Sequence, residues 1–200
     1  MTINVSEGIF EQSIESKLLE SGYIKRESKD YNQEYVIDDE LFFKFIQDTQ
    51  LNKWQKLQEI FGTDIQEKIL YIFQKEIETE SLIHVLRKGF TISGVTLECF
   101  IKKPVSGLNE EHQLEYQKNI LSVIRQAVTT DRSKPDLVLC LNGIPVATAE
   151  LKNPATGQSF EDAITQYKED RDPNEKLFAF KRGALVHFAI DPHEAYMTTK

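Results

Sequence analysis

Three side chains in the stretch 135–152, PDLVLCLNGIPVATAELK, have the types and spacing for metal-assisted phosphodiester chemistry: Asp136, Glu150 and Lys152. They are the charged residues of an otherwise apolar segment. The spacing predicts two strands around Asn142-Gly143, a dipeptide that accepts φ > 0 at both turn positions. Pro145 stands at the start of the second strand, where a missing N–H does least harm. Asp136 and Glu150 each lie about seven residues from the turn, so folding back makes them near cross-strand neighbours. Two carboxylates this close repel, and a hard divalent cation is the simplest group to offset them. Glu150 and Lys152 are two apart on a strand and share a face. An amine there can serve a metal-adjacent water and steady charge on a phosphoryl oxygen. A plain cross-strand ion pair between Asp136 and Lys152 accounts for the same residues, and a short Asp…Glu-x-Lys pattern also arises by chance.

The elements that must position this hairpin are readable in part. Residues 8–22 predict an amphipathic helix with Phe10, Ile14 and Leu18 on one face and Gly22 as its C-cap. Glu11 and Glu15 flank that face. They are expected as a solvated edge, the alternative being that one leans towards the metal. Residues 23–40 read as a polar loop, 41–61 as one or two helices ended by Gly62, and 64–80 as another. Residues 82–88, LIHVLRK, read as a strand, followed by a turn over 89–94 and a strand through VTLECFIKK. Pro104 to Asn109 reads as a loop. Residues 110–128 predict a long helix with Leu114, Ile120, Leu121, Ile124 and Val128 apolar. Arg125 then either caps its end or pairs with a site carboxylate or a phosphate.

After the hairpin, Pro154 and Gly157 are expected to stop the strand. Ser159 is a natural N-cap for a helix over 159–170, whose Gln166, Tyr167, Lys168 and Arg171 would face the open end of the hairpin. Strands are expected over 184–190 and from Glu194 onward. His84 and His187 read as structural histidines.

Composition bounds the function. The chain has 200 residues, 40% hydrophobic and 28% charged, which suits a single α/β domain with a buried core. No apolar run approaches the ~20 residues of a membrane span. The N-terminus lacks the basic start and apolar centre of a signal peptide. Cys99 and Cys140 sit in apolar runs and are expected to be buried, reduced thiols of a cytoplasmic protein. A net charge of −8 argues against a free-standing nucleic-acid binder, but not against a nuclease domain whose partners supply the phosphate contacts. No P-loop, HExxH, GxSxG or GxGxxG motif is present.

Three long segments, YQKNILSVIRQ, then 135–173, then GALVHFAIDPHEAYMTTK, resemble the N-terminal nuclease domain of the restriction (R) subunit of type I restriction enzymes. IQDTQLNKW and LIHVLRKG resemble that family's upstream region. The resemblance implies a restriction-endonuclease-like PD-(D/E)xK fold: a central mixed β-sheet flanked by helices, with a helical portion at about 40–80 and a nuclease core at about 82–200. It implies a type I site-specific deoxyribonuclease in which Asp136 and Glu150 hold Mg²⁺, with the Leu151 carbonyl as a candidate ligand, and Lys152 serves the hydrolytic water. Gln166 and Tyr167 match the family's Gln/Tyr helix beside the active site and, with Arg171, would contact DNA. The usual Gln-x-x-x-Tyr spacing is absent, since Ala163 stands four before Tyr167. The implied partners are double-stranded DNA and the methyltransferase (M) and specificity (S) subunits. ATP is implied only for a translocase motor downstream of residue 200. A catalytically silent docking module and a stand-alone repair nuclease of the same superfamily are the alternatives.

Overall fold

The computed structural model describes residues 3–106, 109–153 and 157–199. The expected stop at Pro154 and part of the expected loop over 104–109 lie outside them. Helix α1 spans Ile3–Glu20, and Gly22 follows at φ +94°. Strand β1 is Ile24–Arg26. Helices α2 (Asp39–Thr49), α3 (Leu51–Phe61), α4 (Ile65–Thr79) and α5 (Leu82–Lys88) come next, then the small hairpin β2 (Phe90–Ile92) and β3 (Val95–Leu97). Helix α6 (Glu110–Tyr116) leads into β4 (Leu121–Arg125), β5 (Leu137–Leu141) and β6 (Ile144–Leu151). Helix α7 (Phe160–Thr165) continues as a π-helical turn over Gln166–Asp170, and β7 (Val186–Ile190) and β8 (Ala195–Thr198) close the fold.

Among the described residues six strands form one mixed sheet in the order β1-β4-β5-β6-β7-β8. β1 runs parallel to β4, and β6 runs parallel to β7. The other neighbours are antiparallel. The architecture is α/β with helices on the sheet's flanks, compatible with a restriction-endonuclease-like fold. No helix among the described residues is long and apolar enough to cross a membrane.

Helix α1 lays Phe10, Ile14 and Leu18 on Val123, Leu137, Ala149 and Leu151, one face of the sheet. Helices α2–α5 and the β2–β3 hairpin share a separate core built around Phe42, Phe45, Phe73 and Phe90. Two devices tie that core to the sheet. Arg26 of β1 donates to both oxygens of the buried Asp38, at 2.6 and 3.2 Å, while Asp38 caps α2 by accepting from Leu41 N. The Asn142-Gly143 turn also docks against α2. Asn142, at φ +52°, accepts from Ile120 N and donates to Cys99 O. A Cβ on Gly143 would stand 2.2 Å from Asp38 O. Cys99 and Cys140 are buried free thiols, and burial pushes both well up.

Several sequence expectations are corrected. LIHVLRK is helix α5. Ser81 caps it by accepting from His84 N, and Leu82, Val85 and Leu86 bury one face at helical spacing. Phe90–Ile92 is a strand where a turn was expected, and the strand after it stops at Leu97. The long helix over 110–128 ends at Tyr116, and Leu121–Arg125 is a sheet strand between β1 and β5. The 23–40 segment holds an edge strand, and buries Tyr31, Val36, Ile37 and Asp38. Glu11 and Glu15 are not a solvated edge: both are buried beneath α1.

Candidate active site

The predicted β-hairpin forms, and its register pairs Leu137 with Ala149. One step further out, Asp136 stands opposite Glu150. Leu137 and Ala149 pack under α1, so alternation turns Asp136 and Glu150 to the other face. Asp136 is fixed at both ends. Its carbonyl accepts from Gln126 N at 3.1 Å, and its Oδ2 accepts from Leu151 N at 2.7 Å. The second bond crosses the hairpin and ties one carboxylate to the backbone beside the other.

Glu150 is fully buried. Arg171, arriving from the end of the π-helical turn, donates Nε at 2.9 Å and Nη2 at 2.6 Å to Glu150 Oε1, and Nη2 also reaches Lys134 O at 3.1 Å. Oε2 is buried with no hydrogen-bond partner among the described residues. Burial, with Asp136 close by, pushes the Glu150 carboxyl up to about 8, against the pull of Arg171 and Lys152. Lys152 continues the ladder beyond β6, donating its N–H to Ile190 O at 2.9 Å. It therefore keeps the face of Glu150, and only 8% of it is exposed.

The sequence expected a regular helix through 170. Ser159 does cap α7, but after Thr165 the chain widens into a π turn, a feature that re-aims side chains and recurs at functional sites. Tyr167 on that turn points inward and shares a hydrogen bond of 2.8 Å with Thr148 Oγ1; burial raises its hydroxyl well above the usual phenol range. Thr148 also meets His187 Nδ1 at 2.8 Å, so His187 is the satisfied core histidine expected. Gln166 is half-buried and makes no hydrogen bond to Asp136, Glu150 or Lys152 among the described residues. Of the three residues placed at DNA by resemblance, Tyr167 and Arg171 are thus committed to the sheet side of the site.

Sequence reasoning missed Thr148. Its signal was a lone hydroxyl two residues before Glu150, on the same strand face. It also missed Glu175, which holds the connector into Asp136 by accepting from Thr130 Oγ1 and Asp131 N. Arg125 sits on β4, not at a helix end. It points to the α1 face and pairs with Glu11 and, at 3.7 Å, with Glu15, away from Asp136.

Two acids facing each other beside an amine, with one carboxylate oxygen buried and unpartnered, is a donor set suited to a hard divalent cation. Comparison with known proteins bears on which family uses it. No curated protein matches the chain. A family model described as type I restriction enzyme R protein N terminus matches residues 4–200. With the sheet, the hairpin and the acid pair in hand, that match over nearly the whole length decides the question: the chain belongs to the family of type I restriction enzyme R protein N-terminal domains.

Proposed function

We infer that this domain is a Mg²⁺-dependent endonuclease module that hydrolyses DNA phosphodiester bonds within a type I restriction complex. One observation carries the reading. The hairpin sets Asp136 opposite Glu150 on one sheet face, and Glu150 Oε2 is buried and waiting for a partner. The carboxylates of Asp136 and Glu150 would hold the ion, Glu150 through Oε2. Bound there, Mg²⁺ supplies Lewis acidity to a phosphoryl oxygen and lowers the pKa of a bound water. Lys152, on the Glu150 face, orients the attacking water and offsets charge building on the phosphate. Arg171 holds Glu150 by one oxygen only, which leaves the other aimed for coordination. Tyr167, through Thr148, keeps β6 and the π turn in register beneath the site.

Partners would be double-stranded DNA and the methyltransferase and specificity subunits, with ATP used by a motor beyond this domain. The competing reading is a silent docking module. Arg171 favours it, because a built-in cation already neutralises Glu150. Cleavage by the assembled enzyme separates the two. Asp136→Ala, Glu150→Ala and Lys152→Ala should each abolish cutting while ATP hydrolysis survives. Normal cleavage by any well-folded member of the set overturns the assignment.

A further inference from the structure

Beside the acid pair lies a cavity of about 430 Å³ between α7 with its π turn and the β7–β8 edge of the sheet. We propose that it is a nucleobase pocket, taking the unstacked base of a nucleotide whose phosphate lies at Glu150. The phosphate's place rests on the nuclease reading; the pocket itself does not.

The sheet register carries the argument. Asp136 stands opposite Glu150, Glu150 beside Ala189, and Ala189 opposite Tyr196. These four residues form one row across β5–β8 and share a face. Tyr196 is two strand spacings from Glu150, roughly 10 Å along the row. The sugar of a single nucleotide bridges that kind of gap between phosphate and base.

The lining fits a base. Tyr196 is held flat by Phe160, with ring centroids 4.3 Å apart and planes at 15°, which leaves its second face for stacking. Tyr167 and His187 add aromatic walls, and Ile164 adds an apolar one. His187 is buried, and its Nδ1 is taken by Thr148, so Nε2 is the ring atom left to meet the polar edge of a base. Burial lowers its pKa and keeps the ring neutral. Lys168, exposed at the rim, suits an adjoining phosphate. No carboxylate lines the cavity, so it presents no anionic oxygen to a hard cation. A base stacked inside a duplex cannot enter, which makes the occupant an extruded or single-stranded nucleotide.

Tyr196 supplies a direct reporter, because its ring lines the cavity and stacks on Phe160. The chain labelled with ¹³C in its tyrosine rings, the Tyr196 signal assigned by its loss in Tyr196→Phe, is titrated, without metal, with thymidine 5′-monophosphate and with deoxyribose 5-phosphate. The Tyr196 ring resonance should shift with the nucleotide and stay still with the sugar phosphate. Tyr196→Ala, on an exposed edge strand, should weaken nucleotide affinity in a calorimetric titration about tenfold, the loss of one base–aromatic stack. Ala189→Leu, which fills the floor, should remove it. A silent Tyr196, an equal shift with the sugar phosphate, or a Tyr196→Ala chain that binds as the wild type does overturns the pocket. The two readings fail separately. DNA cleavage without a Tyr196 response removes the pocket and keeps the nuclease; a Tyr196 response in an assembled enzyme that never cuts does the reverse.

Discussion

Arg171 places two N–H groups on one oxygen of Glu150 and leaves the other oxygen without a partner. The guanidinium is therefore a counter-ion for a buried acid, held in place by a further bond to Lys134 O. Arg171→Ala should leave Glu150 buried and uncompensated, at a cost of roughly 3 kcal/mol when the acid is charged. At low pH the acid can take a proton instead. Denaturation of the metal-free chain should show a larger loss at pH 9 than at pH 6. Equal losses at both would mean that Glu150 is not what Arg171 compensates.

Glu150→Gln tests the acid from the other side. An unfolded glutamate titrates near 4.5 and the buried one at about 8, so the folded state holds an extra proton between those values. The stability that proton supplies is complete below pH 4.5 and is lost as pH climbs to 8. The amide cannot titrate and keeps an oxygen for Arg171. The stability of Glu150→Gln relative to wild type should therefore rise between pH 5 and pH 9, by about 4 kcal/mol. A flat difference across that range, in metal-free thermal scans, would place Glu150 in a wetter site than the structure shows.

Adding a divalent ion should reverse the ranking. A ligand that binds only the folded state stabilises it by mass action. At pH 8, wild type should gain thermal stability with rising Mg²⁺ or Mn²⁺, and Glu150→Gln and Asp136→Asn should gain little. Equal gains in all three proteins would move the ion elsewhere.

What the sequence made legible was local. Asn142-Gly143 fixed the hairpin because only a few residue types tolerate its backbone, and Ser159 marked the start of α7 by its cap. Residues 121–125 misled because Leu121, Ile124 and Val128 satisfy a helical period, while strand pairing of Leu121–Arg125 with β1 and β5 is decided by distant partners. LIHVLRK misled for the opposite reason: seven residues are too few for periodicity to separate helix from strand. Arg171 and Glu150 are 21 residues apart, and a π turn delivers one to the other. Nothing in local spacing announces that widening.

The hairpin turn itself can be tested. Asn142 is buried, accepting from Ile120 N and donating to Cys99 O and Asn119 Oδ1. Asn142→Ala should strand the Ile120 N–H and the Cys99 carbonyl, costing about 3 kcal/mol in chemical denaturation. Because the turn docks on α2, the loss should be felt in the helical core as well as the sheet. A fall in stability under about 0.5 kcal/mol, the size of an ordinary surface change, would show that the turn is not an anchor.

The sheet divides two acidic pairs, and that division gives the last prediction. Glu11 and Glu15 are as buried as the candidate site, but they lie on the α1 face, against Arg125 and Lys25. Arg125 pairs across the sheet with Leu137, which points under α1, whereas Asp136 points the other way. Glu11→Gln should therefore weaken a buried ion pair and lower stability, by about 1–3 kcal/mol, without changing divalent-ion affinity. Glu150→Gln should lose at least tenfold in that affinity, about the effect of removing one charged ligand worth 1.4 kcal/mol or more. Calorimetric titration of Mn²⁺ into each variant, beside thermal scans of the metal-free proteins, reads both quantities. A matching loss of ion affinity in Glu11→Gln would bring the α1 acids to the metal and undo the two-face arrangement.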